Sequence, residues 1–98
     1  MNELLKTQVR EIATRYPEIQ SVLLFGSRAH GDYNNFSDID LAIKAPKISD
    51  KDWLSLNEQL ENELDTLLKI DLVLYEQVSE ELQRQIDQCY QVIYNNGH

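Results

Sequence analysis

Residues 24–43, with the sequence LFGSRAHGDYNNFSDIDLAI, carry the features from which we predict the fold and the functional site. An apolar segment ends at Gly26-Ser27, a polar stretch follows, and a second apolar segment contains Asp38 and Asp40. Because side chains alternate along a strand, two acids that are two positions apart leave the same face, roughly 7 Å apart along the chain. The pattern therefore predicts a strand with paired carboxylates on one face.

The residues that alternate with these acids are aliphatic: Ile39, Leu41 and Ile43. On a strand they would point to the opposite face and be buried there. Neighbouring carboxylates beside a core are unfavourable unless a cation or a proton compensates their charge. A divalent metal would do so. The glycine-serine turn offers phosphate a hydroxyl and exposed backbone N–H groups. Together these features predict a metal–nucleotide site.

A third acid, Asp71, lies inside the apolar segment 69–75, and its aliphatic neighbours should point to the other face. If that strand lies beside the second one, Asp71 comes within about 5 Å of the acid pair. Two acids would then hold Mg²⁺, which offsets charge on a phosphate during displacement. The third would share a second metal or accept the proton of an attacking hydroxyl. An acid that merely faces solvent at a strand end remains the alternative for Asp71.

Apolar periodicity predicts elements that would cover such a sheet. In chain order they are a helix at 2–16, a strand at 22–25 covered on both faces, a helical turn at 27–31, a polar loop at 32–37 and a strand at 38–43. A helix at about 50–67 follows, opened by the capping residue Ser49, and its apolar stripe consists of Trp53, Leu56, Leu60, Leu64 and Leu67. A strand at 69–75, a helix opened by Ser79, and a segment at 91–94 that is either a short edge strand or a fraying helix end complete the order. The helix between the second and third strands permits them to be parallel, whereas the direction of the first two strands is open. We predict an α+β (mixed α/β) fold, with a small mixed sheet of three to four strands flanked by helices.

Composition narrows the classes of function. A chain of 98 residues predicts one domain over 1–98, and a formal net charge of −8 argues against general nucleic-acid binding, which favours basic proteins. Apolar runs of membrane-spanning length and a signal-peptide core are both absent from the sequence, so we expect a cytoplasmic protein without a membrane contact. The single cysteine, Cys89, excludes an internal disulfide and is expected in the core. Residues 95–98 are expected to be disordered.

The sequence excludes two common nucleotide-binding motifs, the P-loop and the dinucleotide-binding motif. Residues 26–31 match the front half of a P-loop, but Asp32-Tyr33 stands where that motif needs lysine and a hydroxyl residue, and G-x-G-x-x-G is absent. Arg28 could instead donate a forked pair of hydrogen bonds to phosphate, or form a surface ion pair. For His30, a phosphate contact, a partner contact and simple exposure are all open.

Four further side chains have two readings each. Lys44 and Lys69 stand at strand ends and could either bind an anion or remain solvated. Tyr33 and Phe36 could stack on a base or pack under the loop. The sequence does not choose between these roles.

The combined motif resembles a known superfamily. The runs FGSRAHG at 25–31 and SDIDLAI at 37–43, with the later IDL at 70–72, look like the nucleotidyltransferases typified by DNA polymerase beta. They resemble in particular its minimal members, the MNT proteins. The resemblance extends over nearly the whole chain, and it implies the nucleotidyltransferase fold.

The resemblance also implies roles for individual residues. Gly26 and Ser27, with Arg28 beside them, would bind the nucleotide triphosphate. The metal ligands would be Asp38 and Asp40, and Asp71 would complete the metal site or activate the acceptor. One position departs from the pattern, because a basic residue is frequent where this chain has His30, whose charge near neutral pH is conditional.

In characterised MNT antitoxins, AMP passes from ATP to a tyrosine of a HEPN-domain toxin encoded by an adjacent gene. The resemblance therefore implies an Mg²⁺-dependent nucleotidyltransferase with a HEPN-domain partner, and the acidic charge would suit a basic partner surface. A non-catalytic module that neutralises the HEPN partner by complex formation is the alternative. Transfer to a small molecule is disfavoured, because the chain shows no acceptor domain. A homodimer is compatible with the sequence.

Overall fold

The computed structural model describes residues 1–31 and 38–96, which form four helices and four strands. In chain order these are α1 (Glu3–Ala13), β1 (Ser21–Phe25), α2 (Ser27–His30), β2 (Ile39–Lys44), α3 (Asp50–Glu63), β3 (Ile70–Leu74), α4 (Glu80–Gln88) and β4 (Gln91–Asn95). The predicted α+β class is confirmed. The predicted loop at 32–37, which includes Tyr33 and Phe36, lies outside the described residues. The single domain over 1–98 stays a prediction.

The strands form one mixed sheet in the order β3-β2-β1-β4. β1 runs antiparallel to both β2 and β4, whereas β2 and β3 are parallel. The chain passes through α3 between the two parallel strands, since parallel neighbours cannot be joined by a tight hairpin. The direction that the sequence left open for the first two strands is antiparallel. The two strands that carry acids are therefore neighbours in the sheet.

Apolar residues cover both faces of the sheet. The larger cluster lies between one face, α1 and α3, and its strand members include Val22, Leu24, Ile39, Leu41 and Ile43. A smaller cluster on the other face contains Leu23, Ala42 and Ile86 of α4. Both the predicted burial of the aliphatic residues of β2 and the predicted covering of β1 on two faces are confirmed. Alternation along β2 leaves Asp40 on the face of the smaller cluster.

Three helices begin at a capping side chain. Asn2 Oδ1 accepts a hydrogen bond from the Leu5 N–H at 2.8 Å, and Ser49 and Ser79 cap α3 and α4 in the same way. Two of the predicted helices end earlier than expected. α1 ends at Ala13, although the Tyr16 side chain is still buried, and α3 ends at Glu63 because Leu64 is extended. Leu67 is consequently not part of the apolar stripe of α3.

The C-terminal segment is ordered as far as the structure describes it. β4 confirms the predicted edge strand, and the Asn96 N–H donates to the Gln20 carbonyl at 2.9 Å. The expected disorder is therefore wrong for residues 95 and 96, while 97 and 98 lie outside the described residues.

Cys89 is only partly buried, because α4 ends at Gln88 and the chain continues extended. Among the residues described, no helix has the length and apolar character needed to cross a membrane.

Arg10 joins α1 to β4, one of the two edge strands of the sheet. Its Nε–H donates to the Ile93 carbonyl at 2.7 Å. We expect Arg10→Ala to lower the free energy of unfolding by about 1.5–3 kcal/mol, the range for a hydrogen bond from a charged donor. Lys6→Ala, which removes an exposed contact to Glu3 at 3.5 Å, should cost no more than about 0.5 kcal/mol. Urea denaturation of both variants measures the difference, and equal losses would contradict this account of the α1–β4 contact.

Candidate active site

The parallel ladder between β2 and β3 aligns two of the predicted site residues. Asp40 and Asp71 are register partners, so both side chains leave the same face of neighbouring strands. Neighbouring strands lie about 4.8 Å apart, which brings the two carboxyl groups into electrostatic contact. Ile70, Leu72 and Leu74 pack with the larger cluster on the other face, as the alternation predicted. β3 is an edge strand, and the Asp71 side chain is 42% exposed.

Asp38 lies just before the first residue of β2 and is exposed. The predicted strand began one residue too early, because the ladder starts where the Ile39 N–H donates to the Lys69 carbonyl at 2.9 Å. This bond places Asp38 beside the start of β3. The structure therefore places the three predicted acids near one another at the same end of two adjacent strands. We call Asp38, Asp40 and Asp71 the acidic cluster.

Asp40 is the acid whose charged form is disfavoured by its surroundings. Burial raises the pKa of Asp40, and the negative charges of Asp71 and Asp38 raise it further. Lys69 acts in the opposite direction on the same pKa, and its Nζ lies 3.5 Å from Asp71 Oδ1. A half-buried acid among like charges is a position where an added cation is favourable. The electrostatics of the cluster thus match the sequence-based expectation of a cation.

The donor set also fits the particular cation predicted. Within residues 1–31 and 38–96, no three His, Cys, Asp or Glu side chains form a cluster ready to hold a metal ion. Mg²⁺ does not need such a cage, since it is usually bound by one or two carboxylates, water and the phosphates of a substrate. Asp40 and its neighbours offer that smaller set of oxygen ligands.

Gly26 stands against the carboxylate of Asp40. Its φ is +74°, a conformation that favours glycine, and a Cβ at this position would lie 2.6 Å from Asp40 Oδ2. The antiparallel register explains this proximity, because Phe25, the residue before Gly26, pairs with Asp40. The chain then enters α2, which confirms the predicted helical turn. The positive φ favours glycine at position 26, and a Cβ there would force the Asp40 carboxylate to move.

Ser27 and His30 lie in α2, and their proposed side-chain roles stay predictions. Arg28 is buried, with only 7% of its surface exposed, so it is not the surface arginine that the sequence left open. It lines a cavity of about 380 Å³ together with Met1, Asn2, Leu5, Asp65, Thr66 and Leu68, and none of the three site acids lines that cavity. After burial, the Arg28 charge is the next cause that lowers the pKa of the N-terminal amino group. Its predicted phosphate contact stays a prediction.

The two lysines that the sequence could not separate occupy opposite ends of the sheet. Lys69 is part of the acidic cluster, whereas Lys44 lies at the far end of β2 with its Nζ 4.6 Å from the centre of the Tyr75 ring. Lys69 therefore lies beside a site acid while its side chain is 71% exposed, so anion binding and simple solvation both stay open for it. Its position two residues before Asp71, on the same face of one extended segment, was the sequence signal for this proximity.

Comparison with known proteins identifies the family. Residues 7–98 match the family described as Polymerase beta, Nucleotidyltransferase, and the chain belongs to that family of nucleotidyltransferases. It is 31% identical over 74 residues to a protein of Methanocaldococcus jannaschii named "Putative protein adenylyltransferase"; the match covers 74% of this chain and 83% of that protein.

Solved structures show the same fold. A chain in the crystal structure of a toxin–antitoxin with AMP-PNP is 24% identical, with a TM-score of 0.75, over 94% of this chain and 74% of that chain. A chain in the structure of tri-AMPylated Shewanella oneidensis HEPN toxin in complex with MNT antitoxin is 23% identical, with a TM-score of 0.72, over 98% of this chain and 74% of that chain. The predicted nucleotidyltransferase fold is confirmed.

The contact between Gly26 and Asp40 can be tested with a pair of glycine variants. Gly31 shares the positive φ, at +81°, but no described atom lies within 4 Å of its Cβ position. Both Gly26→Ala and Gly31→Ala should lose about 1–2 kcal/mol of stability through backbone strain. Only Gly26→Ala should displace the Asp40 carboxylate and lower the rate of nucleotidyl transfer, by at least about tenfold, since a misplacement of 1 Å can cost about 100-fold. Equal rates for the two variants would show that the contact does not matter.

The repulsion at Asp40 predicts a stabilising substitution. Asp40→Asn should raise the Tm in EDTA by a few degrees, because it removes a charge that neighbouring acids oppose, and about 1 kcal/mol corresponds to roughly 4–8 °C in a domain of this size. Since a raised pKa means that the folded state binds the proton more tightly, the wild type should lose stability as the pH rises above the ordinary value of 3.8. The difference in Tm should therefore vanish at lower pH.

The control for this substitution is Asp52→Asn in the first turn of α3, where an acid is favourable. It removes the same charge and should leave the Tm unchanged or slightly lower. Differential scanning calorimetry across pH compares the two variants. If Asp40→Asn were destabilising at neutral pH, the proposed repulsion among the three carboxylates would be wrong.

Proposed function

We propose that this chain transfers AMP from ATP, with Mg²⁺, to a hydroxyl of a protein acceptor, namely a tyrosine of a HEPN-domain protein encoded beside it. In this role it acts as an antitoxin in the cytoplasm. The observation that carries the proposal is the register pairing of Asp40 with Asp71, next to Gly26, in a chain of the nucleotidyltransferase family. The relative named for protein adenylylation and the similar structures, one with AMP-PNP and one with an AMPylated HEPN toxin, support the choice of nucleotide and acceptor.

In this proposal the acids bind the metal and the glycine corner binds the nucleotide. Asp38 and Asp40, with Asp71 beside them, would hold Mg²⁺, which neutralises phosphate charge when it is bound. Gly26, Ser27 and Arg28 would contact the triphosphate. The net charge of −8 makes such a cation necessary for this chain, since ATP and the acidic cluster repel each other in its absence.

The reaction exchanges a phosphoanhydride bond of ATP for a phosphoester bond to the acceptor. The acceptor oxygen forms a bond to the α-phosphorus of ATP, the bond from that phosphorus to the oxygen bridging to the β-phosphate breaks, and pyrophosphate leaves. The hydroxyl proton must pass to a base. Asp71 would complete the metal site or take this proton, and its partial exposure on the edge strand supports the second role, because an incoming protein can reach it there.

A labelling experiment tests the proposal. The chain is incubated with ATP labelled at the α-phosphate, Mg²⁺ and the HEPN-domain protein encoded by the adjacent gene. Label should appear on the partner and should fall at least about 100-fold in the Asp38→Asn/Asp40→Asn double variant, the scale of losing a main electrostatic stabiliser. The matched control is Asp50→Asn/Asp52→Asn, which removes two acids at the same spacing from the first turn of α3.

The outcomes separate the two functions that the sequence left open. Loss of label only in the Asp38/Asp40 variant supports catalysis by this site, and EDTA should abolish the label as well. If the partner is never labelled, yet the Asp38/Asp40 variant still protects cells from it, the chain is a binding module and the catalytic proposal is wrong.

A further inference from the structure

Leu67 is the most exposed large apolar side chain among the residues described. Its relative exposure is 106%, whereas Leu4, Leu54, Tyr90 and Val92 range from 48% to 68%. The apolar periodicity had placed it on the buried stripe of α3. Because α3 ends at Glu63, the side chain instead projects into solvent from the segment 64–69 that connects α3 to β3. We call this segment the 64–69 loop.

The exposure of Leu67 is fixed by the conformation of the loop. The Thr66 N–H donates to the Leu64 carbonyl at 2.9 Å, and the Leu68 N–H donates to Thr66 Oγ1 at 3.1 Å. The Gln8 side chain of α1 binds Asp65 twice, accepting from its N–H and donating to its carboxylate, both at 3.1 Å. Leu64 is buried, and Leu68 packs against the larger cluster. The loop is therefore held on both sides of the leucine that it exposes.

The 64–69 loop leads directly into the acidic cluster. The Lys69 carbonyl accepts from the Ile39 N–H at 2.9 Å, and Lys69 Nζ contacts Asp71 at 3.5 Å. Leu67 precedes Asp71 by four positions in the chain, so their Cα atoms are at most about 14 Å apart. A protein interface of standard size covers about 800 Å² on each partner, a disc of roughly 16 Å radius. A standard-size interface centred on Asp71 would therefore reach the position of Leu67.

We infer that Leu67 is a docking anchor for the protein acceptor, and that it inserts into an apolar pocket close to the hydroxyl that is modified. The inference rests on the proposed function. An isolated leucine gains only from burial against a complementary surface, and the acceptor is the molecule that must approach this end of the sheet. Leu67 lines one surface depression with Glu61 and Lys69 and another with Asp65, and the chain is acidic overall, so the pocket should have a basic rim. A preorganised anchor loses little freedom on binding.

The matched pair Leu67→Ser and Leu54→Ser tests this surface. Leu54 is 68% exposed but lies near the start of α3, at the opposite end of the sheet from the acids. Calorimetric titration with the HEPN-domain protein, in the absence of ATP, gives the Kd of each complex. Leu67→Ser should raise the Kd at least about tenfold, or 1.4 kcal/mol, whereas Leu54→Ser should leave it unchanged. Leu67→Met should restore most of the affinity, because it returns an apolar side chain.

Nucleotide binding and transfer separate this inference from the proposed function. The Kd for ATP should be the same in all variants, and the KM for the HEPN-domain protein should rise in Leu67→Ser while kcat changes little. Wild-type label with a Kd that is insensitive to Leu67→Ser would overturn the docking anchor and leave the proposed function standing. If the complex depends on Leu67 but the HEPN-domain protein is not labelled, the docking anchor stands and the proposed function is wrong. Equal losses in the Leu54 and Leu67 variants, or no complex with the wild type, would also overturn the anchor.

Discussion

The parallel register between β2 and β3 is the constraint on which the candidate site depends. It aligns Asp40 with Asp71, and the two carboxylates repel each other. The same ladder aligns aliphatic residues on the opposite face, where they pack in the larger cluster. The apolar face thus stabilises a pairing that the acidic face opposes. The core holds the two carboxylates together despite their repulsion. A cation that binds between them is therefore favoured, because a bound metal ion relieves that repulsion.

The second contribution to the site comes from the antiparallel pairing of β1 with β2. It brings the end of β1 level with Asp40, and the chain turns there at Gly26 with a positive φ that favours glycine. The Asp40 carboxylate and the Gly26 corner, for which we propose metal and phosphate binding, are therefore adjacent as a consequence of sheet register. Both are carried by strands within a packed sheet, which positions catalytic groups more accurately than a free loop.

The open side of this site lies on the edge strand β3. Asp71 is partly exposed there, Lys69 stands beside it, and the 64–69 loop holds Leu67 in solvent. An edge strand beside reactive carboxylates allows a large acceptor to approach. The binding of nucleotide at the glycine corner and of protein at the edge strand would then occupy different sides of the acidic cluster. Under the proposed function, this separation would let nucleotide and protein acceptor bind at the same time.

The sequence by itself determined the features that depend on local periodicity: the helical stripes, the capping serines, and the opposite faces of Asp40 and Ile39. Only the tertiary structure decided that Asp40 lies opposite Asp71, that Arg28 is buried, and that Leu67 leaves the core. Periodicity reports which side of an element a residue faces, because that is set by backbone geometry within a few residues. Three features depend instead on contacts with residues distant in the chain: the strand register, the burial of the Arg28 charge and the end of α3. Local sequence periodicity does not report such contacts.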